Sequence, residues 1–262
     1  MTERVIAIGQ SHVRALIDAG CRPSRRSSEV EFTFAVKRPQ QFAHISVGSE
    51  GPLRRPVKGS VADLLRSWGA SRVALAWGGN QMNTRALVAT GPPFDMVLPG
   101  SPGADPSDPG TVIVPCSVVA GIVNDRLTHS EGLSEILVAA AELDLPICML
   151  SPPPPAPEEV VRERMASEPH FVKVLEALEV DAAHAPLVPD VVRVKLWRVM
   201  CHSYRTFAEA HRMEFFEAPP EGLAPNGTLG LSFCGTDATH AGAAYGALVL
   251  DQLERWATGQ DR

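Results

Sequence analysis

The sequence has few of the features that mark disulfide-rich secreted proteins or membrane proteins. Only five of its 262 residues are cysteine, an odd number at wide spacing with no Cys-x-x-Cys pair. Neither a disulfide framework nor a zinc site is therefore expected. No stretch approaches the roughly 18 consecutive apolar residues of a membrane span, and no signal-peptide pattern precedes the first strand. We expect a cytoplasmic protein with no membrane partner.

A surplus of basic residues is also missing. Lys and Arg number 24 against 30 Asp and Glu, which gives a formal net charge of −6. Binding to a phosphate backbone requires a basic surface, so nucleic acid is not an expected partner. The chain is 45% hydrophobic, which is enough for a substantial core, and its length favours a single domain.

Motifs of several large enzyme classes are absent as well. The Gly-x-Ser-x-Gly elbow of α/β-hydrolases does not occur. Gly-x-Gly-x-x-Gly after the first strand and Gly-x-x-x-x-Gly-Lys are also missing, so nucleotide binding has no support. Most of the histidines show no ligand spacing with Cys or Asp, so we expect neither a metal nor a cofactor; these are His129, His170, His184, His202 and His211.

What the chain does contain is a regular alternation of short aliphatic segments with amphipathic ones. This alternation predicts an α/β fold with a doubly wound, mainly parallel five-stranded sheet flanked by helices. We expect one domain over residues 1–262, with insertions at 83–115, where two extended segments suggest a hairpin, and at 151–189. The pattern predicts strands at 5–8, 42–48, 72–77, 146–150 and 213–217, and a further strand or strand-like excursion at 29–37. It predicts helices at 13–19, 60–68, 117–123, 133–143, 157–166, 171–178, 189–212 and 239–256.

The first strand ends in Gly9-Gln10-Ser11-His12, and helix formers follow directly. In doubly wound folds the carboxyl ends of the strands carry the ligand site, and the next helix start favours developing negative charge. Ser11 therefore lies where a nucleophile could work. The alternative is an ordinary helix N-cap, because serine is a preferred capping residue. His12 could be a second base or a substrate contact, or it could have only a structural or surface role.

Two later turns complete a set of groups for acyl transfer. Asn80 follows the strand at 72–77, and Asp237 stands three residues before His240 at the entrance to the last helix. At that spacing the carboxylate can accept the Nδ1–H of the histidine and leave Nε2 facing outward as a general base. A nucleophile, an amide donor, a base and an orienting carboxylate would then meet at one sheet edge.

In order and spacing these segments resemble the SGNH, or GDSL-like, hydrolases, whose sheet is flavodoxin-like. The first block of that family matches Gly9-Gln10-Ser11-His12, the third matches Gly78-Gly79-Asn80-Gln81, and the last matches Asp237-Ala238-Thr239-His240. The resemblance implies that Ser11 is the nucleophile, His240 the base and Asp237 its orienting carboxylate. It also implies an oxyanion hole formed by the Ser11 backbone N–H and the Asn80 side-chain amide.

The second block of the family follows the second strand and supplies a glycine N–H to the oxyanion hole. Here we expect a loop to begin at Gly48, after the strand at 42–48, and Gly48 and Gly51 are both candidates. Two positions depart from the family pattern, because Gln10 and Gln81 stand where an aspartate is usual. The resemblance implies a serine esterase or acylhydrolase that cleaves an ester of a small molecule or carbohydrate through an acyl-enzyme. An acyltransferase with an alcohol acceptor and an inactive binding protein of the same fold are the alternatives.

Overall fold

A β-sheet with helices on both faces forms the frame of the protein. The structure is a computed structural model that describes residues 2–21, 29–38, 41–48, 51–56, 59–78, 86–98 and 110–260. Its strands are β1 (Glu3–Gly9), β2 (Val30–Arg38), β3 (Gln41–Gly48), β4 (Gly51–Pro56), β5 (Arg72–Ala76), β6 (Phe94–Asp95), β7 (Val112–Ile113), β8 (Ile147–Leu150) and β9 (Glu214–Phe216). Its α-helices are α1 (Val13–Gly20), α2 (Val61–Trp68), α3 (Cys116–Thr128), α4 (Glu131–Glu142), α5 (Glu158–Met165), α6 (Pro169–Leu178), α7 (Asp190–Ala210) and α8 (Ala243–Thr258), with 3₁₀ turns at Pro220–Gly222 and Leu231–Phe233.

Five of the strands form a parallel sheet in the order β2-β1-β5-β8-β9. The chain starts in the middle of the sheet, adds β2 on one side, and then adds β5, β8 and β9 in turn on the other. Gly9 at the end of β1 pairs with Val36 of β2 and Ala76 of β5. The predicted fold class is confirmed, and the topology reverses its direction next to β1, where ligands bind in folds of this type.

Three local predictions are wrong. The chain does not become a loop at Gly48, because β3 and β4 extend the sheet as an antiparallel pair beyond β2. The segments around 94–98 and 111–115 do not form a hairpin, since β6 and β7 pair in parallel. The last helix begins at Ala243 rather than at 239, so Asp237 and His240 lie in the turn before it. In each case tertiary pairing overrides what turn residues and apolar periodicity suggest locally.

The apolar run of β1 serves two cores because successive side chains point to opposite faces of a sheet. Ile6 and Ile8 pack with α2, α4 and α7 on one face, whereas Val5 and Ala7 pack with α1 and α8 on the other. All four residues are essentially inaccessible to solvent. Strands buried on both faces read as continuous hydrophobic segments, which is why this strand is visible in the sequence.

Helices α1 and α8 touch backbone to backbone near their first turns. A Cβ atom added to Gly246 would lie 2.0 Å from the carbonyl oxygen of Ala15, so no larger residue fits without moving a helix. The starts of the two helices are thereby held side by side. Ser11 precedes one of them and His240 the other, so this contact sets the distance between the two turns.

Helix α2 shows that local signals are reliable where no tertiary pairing competes. The Ser60 hydroxyl accepts the N–H of Asp63, the Asp63 carboxylate accepts the N–H of Ser60, and Gly69 ends the helix with a φ of 61°. This is a capping box at the first turn and a left-handed glycine at the end of the helix. Across the described ranges, no helix combines the length and the apolar character needed to cross a membrane.

Candidate active site

The turn after β1 presents Ser11 to solvent. Gly9 is confined by β5, since a Cβ there would lie 2.2 Å from the carbonyl oxygen of Ala76. Gln10 donates its N–H to the same carbonyl, and the Ser11 carbonyl accepts the N–H of Arg14. The N-cap position of α1 is occupied by His12, which makes no side-chain capping bond. The N-cap interpretation of Ser11 is therefore wrong, and its exposed side chain lies in the turn one residue earlier.

Asp237 and His240 form a compact unit. Asp237 Oδ1 accepts the N–H groups of Thr239 and His240 at 2.9 and 2.8 Å, and Oδ2 lies 2.9 Å from His240 Nδ1. Burial of Asp237 raises its pKa, but the hydrogen bonds from His240 and the Thr239 N–H outweigh that effect and hold the pKa well below the usual range. The carboxylate thus stays ionised, and Nδ1–H donation to it places the acceptor nitrogen of a neutral His240 ring at Nε2.

Ser11 and the Asp237–His240 unit line the same cleft, which has a volume of about 580 Å³. The structure therefore brings together three of the residues that the sequence singles out. A larger groove of about 1200 Å³ runs between α2 and α4, but it contains neither Ser11 nor the Asp237–His240 unit, and we assign the site by its chemistry rather than by size. Further polar residues on the cleft are Gln10, Arg14, Asp18, Ser232, Cys234 and Thr236.

His12 is buried directly beside the candidate base. His12 is only 7% exposed, and the centre of its ring lies 5.3 Å from the centre of the His240 ring. Burial and the nearby His240 lower the pKa of His12 from 6.5 to about 3, against an opposing effect of Asp237. Neither ring nitrogen has a hydrogen-bond partner within the described residues. A surface role for His12 is excluded, and the ring is neutral at physiological pH.

The two glycine candidates for the oxyanion hole lie far from Ser11. Gly48 pairs with Gly51 where β3 meets β4. Ile45 of β3 lies beside Phe34, which in turn lies beside Ala7 of β1, and β3 runs antiparallel to β1. Gly48 is three residues further on, toward the edge of the sheet where β1 begins. The expectation that Gly48 or Gly51 supplies an oxyanion N–H is therefore wrong, because the chain continues as a strand instead of turning at the site.

Asn80 and Gln81 lie outside the described residues, so the amide predicted for the oxyanion hole stays a prediction. The strand that precedes them, β5, ends at the same edge of the sheet as β1. Gly78 has a φ of 65°, and a Cβ there would lie 2.2 Å from the hydroxyl of the buried Tyr204. A glycine is thus required both by the left-handed backbone and by the close approach of α7.

The strand order and the helices on both faces define the architecture. The architecture is consistent with the SGNH hydrolase fold. No family model and no curated protein sequence matches the chain.

Among the solved structures that are similar to the chain over nearly all of its length are the three that follow. One is a carbohydrate acetylesterase from Sinorhizobium meliloti, at 12% identity over 97% of this chain and 100% of that chain, with a TM-score of 0.43. Another is a GDSL-like lipase from Bacteroides thetaiotaomicron, at 10% identity over 98% and 89%, with a TM-score of 0.43. The third is the periplasmic domain of a lipopolysaccharide acetyltransferase from Salmonella ser. Paratyphi A, at 13% identity over 98% and 84%, with a TM-score of 0.47.

Two residues that the sequence does not reveal contact the turn that carries Asp237. Glu168 Oε2 accepts the N–H of Ala238 at 3.1 Å, and the Arg164 guanidinium donates to the carbonyl of Gly235. Both lie at the junction of α5 and α6, inside the predicted insertion at 151–189. No spacing rule could connect them to Asp237, because the contact joins distant parts of the chain through backbone atoms.

Metal chemistry has no group of ligands to support it in the part of the chain that the structure describes. No three His, Cys, Asp or Glu side chains there are arranged so that they could hold an ion. The cleft instead offers a hydroxyl, an imidazole and an ionised carboxylate. That set suits nucleophilic catalysis by a serine.

Proposed function

We propose that the protein is an SGNH-type serine hydrolase that cleaves esters through an acyl-enzyme. The proposal depends on one observation, which is that Ser11 lines the same cleft as an imidazole oriented by an ionised carboxylate. A half-buried aspartate that accepts three hydrogen bonds from one short turn fixes both the ring orientation and the tautomer of its histidine.

The chemistry follows from these groups. His240 Nε2 removes the proton of the Ser11 hydroxyl as Oγ attacks the ester carbonyl, and the negative charge moves to the carbonyl oxygen. His240 then gives that proton to the leaving alcohol, and the acyl group remains on Ser11. Water attacks the acyl-enzyme by the same route and releases the acid. Asp237 stabilises the imidazolium formed in each half without becoming protonated itself.

Backbone amides at the start of α1 are suited to the charge on the carbonyl oxygen, because a helix N-terminus favours negative charge. We assign one oxyanion contact to the Ser11 N–H and a second to the Asn80 amide. Loss of one such donor costs roughly 100-fold to 1000-fold in kcat in serine hydrolases. An Asn80→Ala variant should fall in that range if the assignment is correct.

The cleft has polar groups on one wall beside an apolar remainder, which favours a small ester with a polar alcohol part. Its volume of about 580 Å³ is within the usual range of small-molecule sites. Arg14 and Asp18 form an ion pair on one wall at 2.7 Å, and Thr236 and Gln10 add neutral hydrogen-bonding groups. Such a wall matches the hydroxyl groups of a carbohydrate or similar alcohol better than a long acyl chain.

The test compares two serines of the same cleft. Ser11→Ala should reduce hydrolysis of p-nitrophenyl acetate by at least about 1000-fold, whereas Ser232→Ala should retain it, and both variants should keep the wild-type Tm. A fluorophosphonate probe should label Ser11 in the wild-type protein and in Ser232→Ala. Full activity in Ser11→Ala would refute the mechanism. Failure of the probe to label the wild-type protein between pH 6 and 9 would favour an inactive binding protein.

Hydrolysis and acyl transfer differ only in the acceptor. Adding polyhydroxylated alcohols to the assay and searching for transacylated product by mass spectrometry separates them. We expect free acid as the main product, because the cleft is open to water at the exposed Ser11.

A further inference from the structure

The turn that carries Asp237 is held from outside at two points. Arg164 lies in the last turn of α5 and donates to the Gly235 carbonyl, while Glu168 is the N-cap residue of α6 and accepts the Ala238 N–H at 3.1 Å. These contacts fall on either side of Asp237. We call Arg164 and Glu168 together the α5–α6 clamp.

Apolar packing supports the same contact. Ala238 is 1% exposed and belongs to a hydrophobic cluster formed largely by α5 and α6, which includes Met165 and Phe171. The side chain of Ala238 and its N–H are thus both committed to the α5–α6 junction. A one-residue shift of the turn would break the hydrogen bond and expose apolar surface at once.

The turn has its own internal bonds, but these do not fix its place in the molecule. Gly235 donates its N–H to the His240 carbonyl at 2.8 Å, and Asp237 accepts from Thr239 and His240. These bonds make Asp237 and His240 a rigid unit. They leave its position relative to Ser11 to the neighbouring elements, which are α8 on one side and the clamp on the other.

We propose that Glu168 and Arg164 are positioning residues that hold the Asp237–His240 unit in register with Ser11. The inference rests on the proposed function, since it assigns the clamp a role in that reaction. Glu168 acts as a hydrogen-bond acceptor for a backbone N–H, so a neutral amide oxygen at the same place can replace it. Removing the acceptor leaves a buried N–H unpaired and lets the unit move, and displacements of about 1 Å can cost on the order of 100-fold in rate.

The experiment uses three glutamate variants of the full chain. Glu168→Ala should lower kcat for p-nitrophenyl acetate by roughly 10-fold to 100-fold with little change in KM. Glu168→Gln should recover most of the wild-type kcat, and Glu163→Ala, which alters an exposed glutamate of α5 beside Arg164, should have no effect. Arg164→Met combined with Glu168→Ala should lower kcat further. Equal kcat in Glu168→Ala and Glu163→Ala would overturn the proposal.

A second measurement is independent of catalysis. Hydrogen exchange of the backbone amides of Thr239 and His240 should accelerate in Glu168→Ala and stay at the wild-type rate in Glu168→Gln and Glu163→Ala. An inactive wild-type protein with this exchange pattern would refute the proposed function but retain the clamp. Unchanged exchange in Glu168→Ala, measured in an active enzyme, would refute the clamp alone.

Discussion

Replacement of His12 by phenylalanine should make the protein more resistant to acid. The imidazole is buried, its two nitrogens have no partner within the described residues, and its pKa falls from 6.5 to about 3 on folding. Below pH 6.5 the unfolded chain binds a proton at this histidine, whereas the folded protein does not until about pH 3. Proton binding therefore favours the unfolded state across this interval, and stability falls as the pH falls.

The size of the effect follows from the pKa values. Each pH unit below 6.5 costs about 1.4 kcal/mol until the folded-state pKa is reached. At pH 4.5 the protein is two units below 6.5, so the penalty is about 3 kcal/mol. Phenylalanine removes this penalty, and a small cavity of about 30 Å³ beside His12 can take part of its larger ring. Near pH 7.5 the variant should differ little from the wild type.

Urea unfolding followed by circular dichroism at several pH values between 7.5 and 4.5 measures the difference directly. The unfolding free energy of His12→Phe minus that of the wild type should rise steadily below pH 6.5 and reach about 3 kcal/mol at pH 4.5. His202→Phe is the matched control, because it makes the same exchange at an exposed position of α7 and should follow the wild-type curve. A difference that does not change with pH would refute the reasoning, since it would mean that His12 titrates equally in both states.

Two further predictions concern packing and charge in the body of the fold. Gly246→Ala should destabilise the protein by about 1–3 kcal/mol and lower kcat, because its methyl group must separate α1 from α8. Gly121→Ala in α3, where a Cβ meets no atom within 4 Å, should instead stabilise by about 0.5–1 kcal/mol, and thermal unfolding distinguishes the two. Lys195→Met should cost about 3–5 kcal/mol, because it leaves the carboxylate of Asp95 without the ammonium that lies 2.8 Å from both of its oxygens. A double variant with Asp95→Leu should recover most of that loss in urea unfolding; no recovery would show that the ion pair is not the cause.

The parallel sheet could be predicted because each of its strands carries a local signal. Strands buried on both faces must be aliphatic throughout, and β1, β5 and β8 are short runs of that kind. The β3–β4 extension has no such signal. Gly51–Pro56 contains two prolines, a glycine and two arginines, which read as a loop because edge strands tolerate residues that central strands do not.

Some features of the site can likewise be predicted from neighbouring residues in the sequence, whereas others depend on contacts between distant residues. Ser11 follows a strand, and Asp237 stands three residues before His240, so both could be found from the chain alone. The burial of His12 could not, because it depends on a ring contact with a residue more than two hundred positions away. The prediction of Gly48 or Gly51 as the oxyanion glycine is wrong for a related reason, since it requires a turn at the site where the chain instead continues as the β3–β4 pair.

Each part of the proposed catalytic set is built by its own neighbours in the sequence, but the distances between the parts are set by distant contacts. The turn at Ser11 is fixed by β5 through Ala76, and the Asp237–His240 unit is fixed by its own hydrogen bonds. What brings them together is the helix contact at Gly246 and the clamp from α5 and α6. A substitution that breaks a local unit should abolish activity, whereas one that loosens a distant contact should lower kcat in proportion to the displacement. Substitutions of residues outside any motif can thus lower kcat by intermediate amounts.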